Sequence, residues 1–242
     1  MSLYLCHEQP DLLVFDAEIT SARPGAIRLS RSALHPGGGG QLCDQALVHG
    51  AHGSARVVEV RVEDGAHWLV LDLPEAMLDG RVTVAIDATR REHLARMHTA
   101  THVLNALVFQ RFDGALVTGA QIMGDGTGRM DFGLPDADND ALRALEPLIE
   151  REVAAARPVL SVEVPLLEAQ ATPGLLRSAA VAPPPTPDGL VRVVDITGFD
   201  RQACGGTHVE NTARIGAVRL VKVENKGRHN RRVRLELAGA VT

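Results

Sequence analysis

Two pairs of side chains in this sequence are spaced for joint chemistry. His98 and His102, in His98-Thr-Ala-Thr-His102, stand four residues apart. On a helix that spacing puts both imidazoles on one face, a turn apart, where they can chelate one ion. Cys204 and His208, in Cys204-Gly-Gly-Thr-His208, form a second short-range chelate far later in the chain. Together they make a tetrahedral set of three nitrogens and one sulfur, a mix that favours zinc over hard cations. One pair alone is weak evidence, since helical histidine pairs are also ordinary surface features. Two pairs, the second beside glycines that free the backbone, carry more weight. Whether they meet depends on the fold. A zincin protease site is excluded, because Thr99 stands where His-Glu-x-x-His would supply its general base. Four protein ligands also suit a purely structural zinc, so spacing leaves catalysis open.

The stretch His35-Pro-Gly-Gly-Gly-Gly-Gln-Leu-Cys-Asp44 is the other chemical candidate. Its glycines permit close backbone approach, as in a phosphate cradle. No Gly-Lys-Ser/Thr follows and no helix signal comes after, so it is not a P-loop. As a bare run it reads as a tight turn between barrel strands. With no nucleotide-activation loop elsewhere, no nucleotide cofactor is expected.

The elements that must position these residues fall into a β half and an α+β half. Leu12–Phe15, Ala26–Leu29, Ala55–Val62, His67–Leu73 and Arg81–Ile86 read as short strands. Val58, Val60 and Val62 repeat at period two, and turn signals such as Glu63-Asp64-Gly65 separate the runs. Such spacing predicts a small barrel or sandwich. Arg90–Phe112 has no proline or glycine and carries Leu94, Met97, Ala100, Leu104, Leu107 and Val108 as a helical stripe. A second helix is predicted from Asn139 to Ala156, capped by Asp138, Asn139 or Asp140 and kinked at Pro147 unless it starts later. Strands are predicted at Val117–Gln121, Leu160–Val164, Leu190–Ile196, Ala217–Val223 and Val233–Leu237. The four prolines of Ala182–Asp188 make a loop. The predicted organisation is α+β: a small N-terminal β-barrel over residues 1–88, then an α+β domain over 89–242.

Composition sets the compartment and the partner. The chain has 242 residues, 45% hydrophobic, with a net charge of −5. No apolar run is long enough for a membrane helix, and Met1-Ser-Leu-Tyr-Leu-Cys-His-Glu-Gln-Pro10 shows no secretory pattern. Three cysteines argue for a reducing, cytoplasmic setting over a disulfide scaffold. The mild acidity disfavours nucleic acid only until charge is mapped along the chain. Ala213–Leu235 carries Arg214, Arg219, Lys222, Lys226, Arg228, Arg231, Arg232 and Arg234 against Glu224 alone, a local +7 on a body of −12. That is either an electrostatic footprint for a polyanion or a solvated strand pair. No feature specifies an oligomeric state.

The His98–His102 and Cys204–His208 motifs, the continuation Val209-Glu-Asn-Thr-Ala-Arg-Ile-Gly216 and the upstream Gly-Gly-Gly-Gly-Gln-Leu-Cys-Asp44 together resemble the alanyl-tRNA editing proteins. These are freestanding relatives of the alanyl-tRNA synthetase editing domain, often called AlaX. The barrel half resembles the N-terminal domain of the medium-length form, with Gly38, Gly39, Gly40 and Gln41 as its glycine-rich segment. His35 and Gly37 depart from the aromatic and acidic residues common there. Thr212-Ala-Arg-Ile-Gly216 replaces the usual Thr-Gly-Glu-Ile-Gly.

The resemblance implies an editing hydrolase that deacylates mischarged tRNA(Ala), charged with serine or glycine, with Zn2+ held by His98, His102, Cys204 and His208. It implies Thr101, Thr118 and Gln121 as lining residues, with Asp131 structural. Arg214, Lys222, Lys226, Arg228, Arg231 and Arg232 are the tRNA-binding candidates. Threonyl-tRNA synthetase carries a related domain, so Ser-tRNA(Thr) editing is a rival. A zinc-stabilised tRNA-binding module without catalysis is another. His7, His35, His49, His52, His67, His93 and His229 are expected to bind no metal.

Overall fold

The computed structural model describes residues 5–135, 138–177 and 188–239. Two compact units emerge, one of residues 1–38 and 42–92, the other of residues 39–41 and 93–242.

The first unit opens with a short helix α1 (Leu5–Glu8) and continues into six strands: β1 (Val14–Arg23), β2 (Ala26–Leu29), β3 (Ala46–Gly50), β4 (Gly53–Glu63), β5 (Ala66–Leu71) and β6 (Arg81–Ile86). They close as an antiparallel barrel in the order β1-β2-β5-β4-β3-β6. Closure removes the free edges that an open sheet would expose. Phe15, Ile27, Val48, Val57, Leu69 and Val84 fill the interior.

The period-two reading of β4 needs correction. Val57 and Val60 are buried, whereas Val58 and Val62 are exposed. The register shifts between Val57 and Glu59, and such a bulge adds a residue that reverses which side chains point inward. Val62 stands near the Asp64-Gly65 turn into β5.

The glycine run is also not a tight strand-to-strand turn. β2 ends at Leu29 and β3 begins only at Ala46. Within that long connection, His35 and Asp44 pair at the base of a loop: Asp44 N–H donates to the His35 carbonyl at 3.0 Å, and His35 N–H donates to the Asp44 carboxylate at 2.6 Å. Asp44 is fully buried and also accepts from the Arg91 guanidinium at 2.5, 3.0 and 3.1 Å. Arg91 donates further to the carbonyls of Ala33 and Pro10. A buried ion pair contributes little net stability, but removing one partner strands the other charge. The pair therefore fixes the two ends of the loop whose tip is Gly39–Gln41.

The second unit is built on the long helix α2 (Ala88–Arg111), which starts two residues before its predicted position. All six stripe residues are buried, and so are Val103, Thr99 and Asn105. Then follow β7 (Val117–Ile122), β8 (Thr127–Gly133), α3 (Asn139–Arg143), α4 (Glu146–Ala154), β9 (Val159–Pro165), α5 (Leu166–Ala171), β10 (Leu190–Ile196), β11 (Asp200–Ala203), a 3-10 turn at Thr212–Ile215, β12 (Val218–Lys226) and β13 (Asn230–Leu237). Two antiparallel sheets result, β12-β13-β8-β7 and β11-β10-β9. Met97 of α2 lies directly against Gly128 of β8. The architecture is thus α+β, a barrel followed by a long helix on antiparallel sheet.

The single helix predicted over Asn139–Ala156 is two. Asp138 caps α3, accepting from Asp140 N–H at 3.0 Å. The chain breaks at Ala144–Leu145, and Pro147 falls in the first turn of α4. There its missing N–H has no helical partner to lose, so the proline starts a helix and does not kink one. β3, β8 and β11 are not among the predicted strands. β8 carries Gly128, Arg129, Asp131 and Gly133, poor strand formers held extended by β7 on one side and β13 on the other. The predicted loop Ala182–Asp188 lies outside the described residues up to position 187. Among the described residues, no helix is long and apolar enough to cross a membrane.

Candidate metal centre

α2 carries His98 and His102 on its buried side, one turn apart, with exposures of 5% and 7%. Cys204 and His208 follow β11 in a turn with little side-chain bulk at Gly205 and Gly206. The fold brings the two pairs together. One donor atom from each of His98, His102, Cys204 and His208 lies within 4.8 Å of all the others. Cys204 Sγ is 3.3 Å from Nε2 of His98 and 3.3 Å from Nε2 of His208. The ring centroids are 4.5 to 5.2 Å apart. Zinc bound tetrahedrally would set its nitrogen and sulfur ligands about 3.6 Å apart, so the donors are already near the spacing required. Among the described residues, no other group of three or more His, Cys, Asp or Glu has this geometry.

The other nitrogen of two of the imidazoles is held from behind. His98 Nδ1 is 2.7 Å from Gln41 Oε1, and His208 Nδ1 is 3.1 Å from Thr99 Oγ1. The Thr99 hydroxyl donates its one proton to the Ala95 carbonyl, so His208 Nδ1 is the donor and, in the neutral ring, Nε2 keeps the lone pair. Such partners fix which nitrogen can ligate. His102 Nδ1 is buried and has no hydrogen-bond partner among the described residues.

The electrostatics favour a neutral His102. Burial, then Arg192 and Arg177, push His102 down to about 3, so it holds a free lone pair at neutral pH. Burial pushes the Cys204 thiol up, opposed by Arg192 and by the Gly206 N–H, which lies 3.3 Å from Sγ. A bound cation supplies the field that a buried thiolate needs. Three imidazoles, one of them held neutral, one thiol and an unpartnered buried nitrogen therefore fit a zinc-class ion. Arg192 braces the turn, donating to the carbonyls of Cys204 and Gly206 at 2.8 and 3.0 Å. Behind His102, Gln202 donates to the His102 carbonyl at 3.1 Å, accepts from Asn105 and donates to Asp200, which pairs with Arg177 at 2.6 Å.

The remaining candidates are dispersed. Thr101 donates its hydroxyl to the His98 carbonyl at 2.7 Å. Thr118 donates to Asn230 at 3.0 Å. Gln121 accepts from Arg129 at 3.1 Å and lines an open groove with Met123, Arg129, Val221 and Arg234, which none of the four donors lines. Gln41 is buried beside His98, whereas no Cβ at Gly38 or Gly39 would meet a neighbour within 4 Å.

Of the cations, Arg214 pairs with Glu210 at 2.6 Å and Lys222 with Glu224 at 2.9 Å. Arg231 donates to the Pro135 carbonyl at 2.9 Å. Lys226 and Arg228 lie at the exposed β12–β13 turn. Arg232 is committed side-on to Asp131, with both bonds at 2.7 Å, and only 14% of its side chain is exposed. Asp131, for which a structural role is expected, also accepts from Arg129 at 3.0 Å. The sequence reading missed Thr99, Arg192, Asn105 and Gln202. Thr99 had one signal: it sits on the turn between the two histidines, where an outer partner of a ligand must be close.

A family model described as the threonyl and alanyl tRNA synthetase second additional domain matches residues 191–234, across the second donor pair and most of the basic segment. With the antiparallel α+β unit and its three-histidine, one-cysteine cluster, that match defines the class: proteins carrying this synthetase-associated domain. The chain is 33% identical over 224 residues to the alanyl-tRNA editing protein AlaX-M of Saccharolobus solfataricus, covering 90% of this chain and 92% of the relative. It is 36% identical to AlaX-M of Methanosarcina barkeri, covering 86% of each. Against the alanine–tRNA ligase of Korarchaeum cryptofilum, 34% identity spans 89% of this chain but 24% of the ligase. The chain belongs to the AlaX-M family of alanyl-tRNA editing proteins.

Proposed function

We propose that this protein is an aminoacyl-tRNA deacylase that edits mischarged tRNA(Ala), releasing serine, and glycine as a second product, while sparing Ala-tRNA(Ala). The observation that carries the reading is the buried cluster of His98, His102, Cys204 and His208, whose donor atoms lie within 4.8 Å of one another. The names of the AlaX-M relatives support the alanyl branch. In the proposed assignment these four residues hold Zn2+, and residues 1–88 select the tRNA while 89–242 edit it. A cytoplasmic setting suits the three unbridged cysteines.

Hydrolysis adds water across the ester, giving the free amino acid and the terminal hydroxyl of the tRNA. Zinc, when bound, supplies Lewis acidity to the ester or the attacking water. The chain's own residues supply the rest. Arg177 and Arg192, whose charge disfavours protonation of His102, put a positive field on the cluster. That sign stabilises a developing oxyanion. Thr101, Thr118 and Gln121 are the proposed contacts to the aminoacyl group. A hydroxyl already donating to a carbonyl, as in Thr101, keeps lone pairs that would accept from a seryl hydroxyl. A pocket built around that bond rejects alanine because its polar groups are then left unpaired. Arg214, Lys222, Lys226, Arg228 and Arg231 are proposed to meet tRNA phosphates; Arg232, tied to Asp131, is the least available of the original set.

Two observations favour rivals. Four protein donors fill a tetrahedron, as in a structural zinc of a non-catalytic tRNA-binding module. The matched family model also names the threonyl enzyme, which keeps Ser-tRNA(Thr) as the rival substrate to test. Incubating the purified protein with Ser-, Gly- and Ala-tRNA(Ala) and with Ser-tRNA(Thr) separates the readings. The expected result is serine release from Ser-tRNA(Ala) with Ala-tRNA(Ala) intact. Absence of deacylation on every substrate would leave the binding module.

A further inference from the structure

Gln41 sits at the end of the glycine run and is 3% exposed. Its carboxamide nitrogen donates to Thr207 Oγ1 at 2.9 Å, and its oxygen accepts from Thr207 N–H at 3.0 Å. A backbone N–H needs an acceptor, so the atom facing Thr207 N–H is the oxygen and the orientation of the amide follows. The same oxygen is 2.7 Å from His98 Nδ1. His98 Nδ1 must therefore be the donor, so in the neutral ring the lone pair falls on Nε2, the nitrogen 3.3 Å from Cys204 Sγ.

The backbone is cut to fit this contact. A Cβ on Gly206 would lie 2.1 Å from His98 Cε1 and 2.7 Å from Gln41 Oε1. A Cβ on Gly40 would lie 2.7 Å from the Ala120 carbonyl oxygen. That glycine lets the segment bridge in parallel to Ile122, whose N–H donates to the Gly40 carbonyl at 2.7 Å. Gln41 thus touches both donor pairs: the ring of His98 from the first, and the backbone of the Cys204–His208 turn from the second.

We propose that Gln41 is a positioning residue for the metal. It sets the tautomer and ring direction of His98 and pins the turn that carries Cys204 and His208. The proposal rests on the metal reading of the cluster. Its effect is on metal affinity, through an acceptor that only a segment distant in sequence provides.

The test uses the full chain with Co2+ as probe, its visible spectrum reporting tetrahedral nitrogen and sulfur ligation, and competition against a chromophoric chelator for affinity. Gln41→Leu is expected to weaken Co2+ binding about 10- to 100-fold. Gln41→Glu, which keeps the acceptor oxygens, is expected to stay within about threefold of the unaltered protein. Undiminished affinity in Gln41→Leu, or a loss in Gln41→Glu as large as in Gln41→Leu, overturns the proposal. Should Gln41→Leu not fold, long-range proton–nitrogen spectra of the metal-free unaltered protein decide: His98 as the Nδ1–H tautomer is expected, and the Nε2–H tautomer overturns it. Failure of the unaltered protein to take up Co2+ overturns the metal reading and this proposal together. Normal uptake with equal affinity in Gln41→Leu overturns this proposal alone.

Discussion

In the donor cluster, His98 and His208 are each gripped at Nδ1 by a side chain anchored elsewhere in the unit. In the β12–β13 hairpin, Lys222 and Arg234 share one carboxylate, Glu224, near the surface. Both regions concentrate chemistry that stands out in the sequence. The cluster is buried, so each partner is fixed and each lost contact leaves a desolvated group. The hairpin faces water, where ion pairs are screened and individually weak. Between the extremes lies Asp131, which ties β8 to β13 through the largely shielded Arg232. Burial, more than charge or residue type, grades what each position contributes.

That grading can be broken by experiment. Cys204→Ala removes one of four donors and is expected to weaken zinc binding by more than about 100-fold, with serine release falling in step. Unchanged zinc stoichiometry by metal analysis would show that Cys204 is no ligand. Asp131→Ala strands Arg232 and Arg129 and is expected to cost roughly 2–3 kcal/mol in urea unfolding. A loss below about 0.5 kcal/mol would put Asp131 in the hairpin's class.

The third prediction concerns pH in the metal-free protein. His102 is held near 3 when folded, against an ordinary value of 6.5. Above 6.5 both states are neutral there, and His102 adds no pH dependence. As pH falls below 6.5 the unfolded chain takes up a proton that the folded chain refuses, so stability declines, by at most about 1.4 kcal/mol per pH unit. Melting temperatures between pH 8 and 5 should show this decline, and His102→Leu should flatten it. An equal slope in that variant would remove His102 as the cause.

On the hairpin, Lys226→Ala and Arg228→Ala are each expected to lower the slope of log affinity against log salt by about 1 in tRNA binding. Unaltered slopes would favour the solvated strand pair. The smallest effect is expected for Glu224→Gln, a change in Tm within about 2 °C. A larger shift would mean that the Lys222–Glu224–Arg234 network does more than shape the surface.

Much of this contrast was legible beforehand, for identifiable reasons. The stripe on α2 and the spacing of His98 and His102 follow from helical period, which is local. β2, β6 and β10 were placed to the residue because apolar runs met clear turn signals. β8 was not, since its glycines and charges become a strand only between β7 and β13. β4 is legible as a strand, but its period-two valines do not share one face, because a bulge resets the alternation without marking composition. The glycine run by itself reads as a turn, because nothing local reveals that its tip, Gly39–Gln41, belongs with the second unit.

By itself the sequence determined the donor types, their pairing within each motif, the α+β class and the uneven charge, all properties of neighbours along the chain. The tertiary structure decided that the two pairs meet, that Gln41 and Thr99 lie against Nδ1 of His98 and His208, and that Arg232 is tied to Asp131. Those outcomes depend on contacts between residues far apart in sequence. Their geometry comes from packing the long helix and two sheets around one buried site, and no local spacing encodes it.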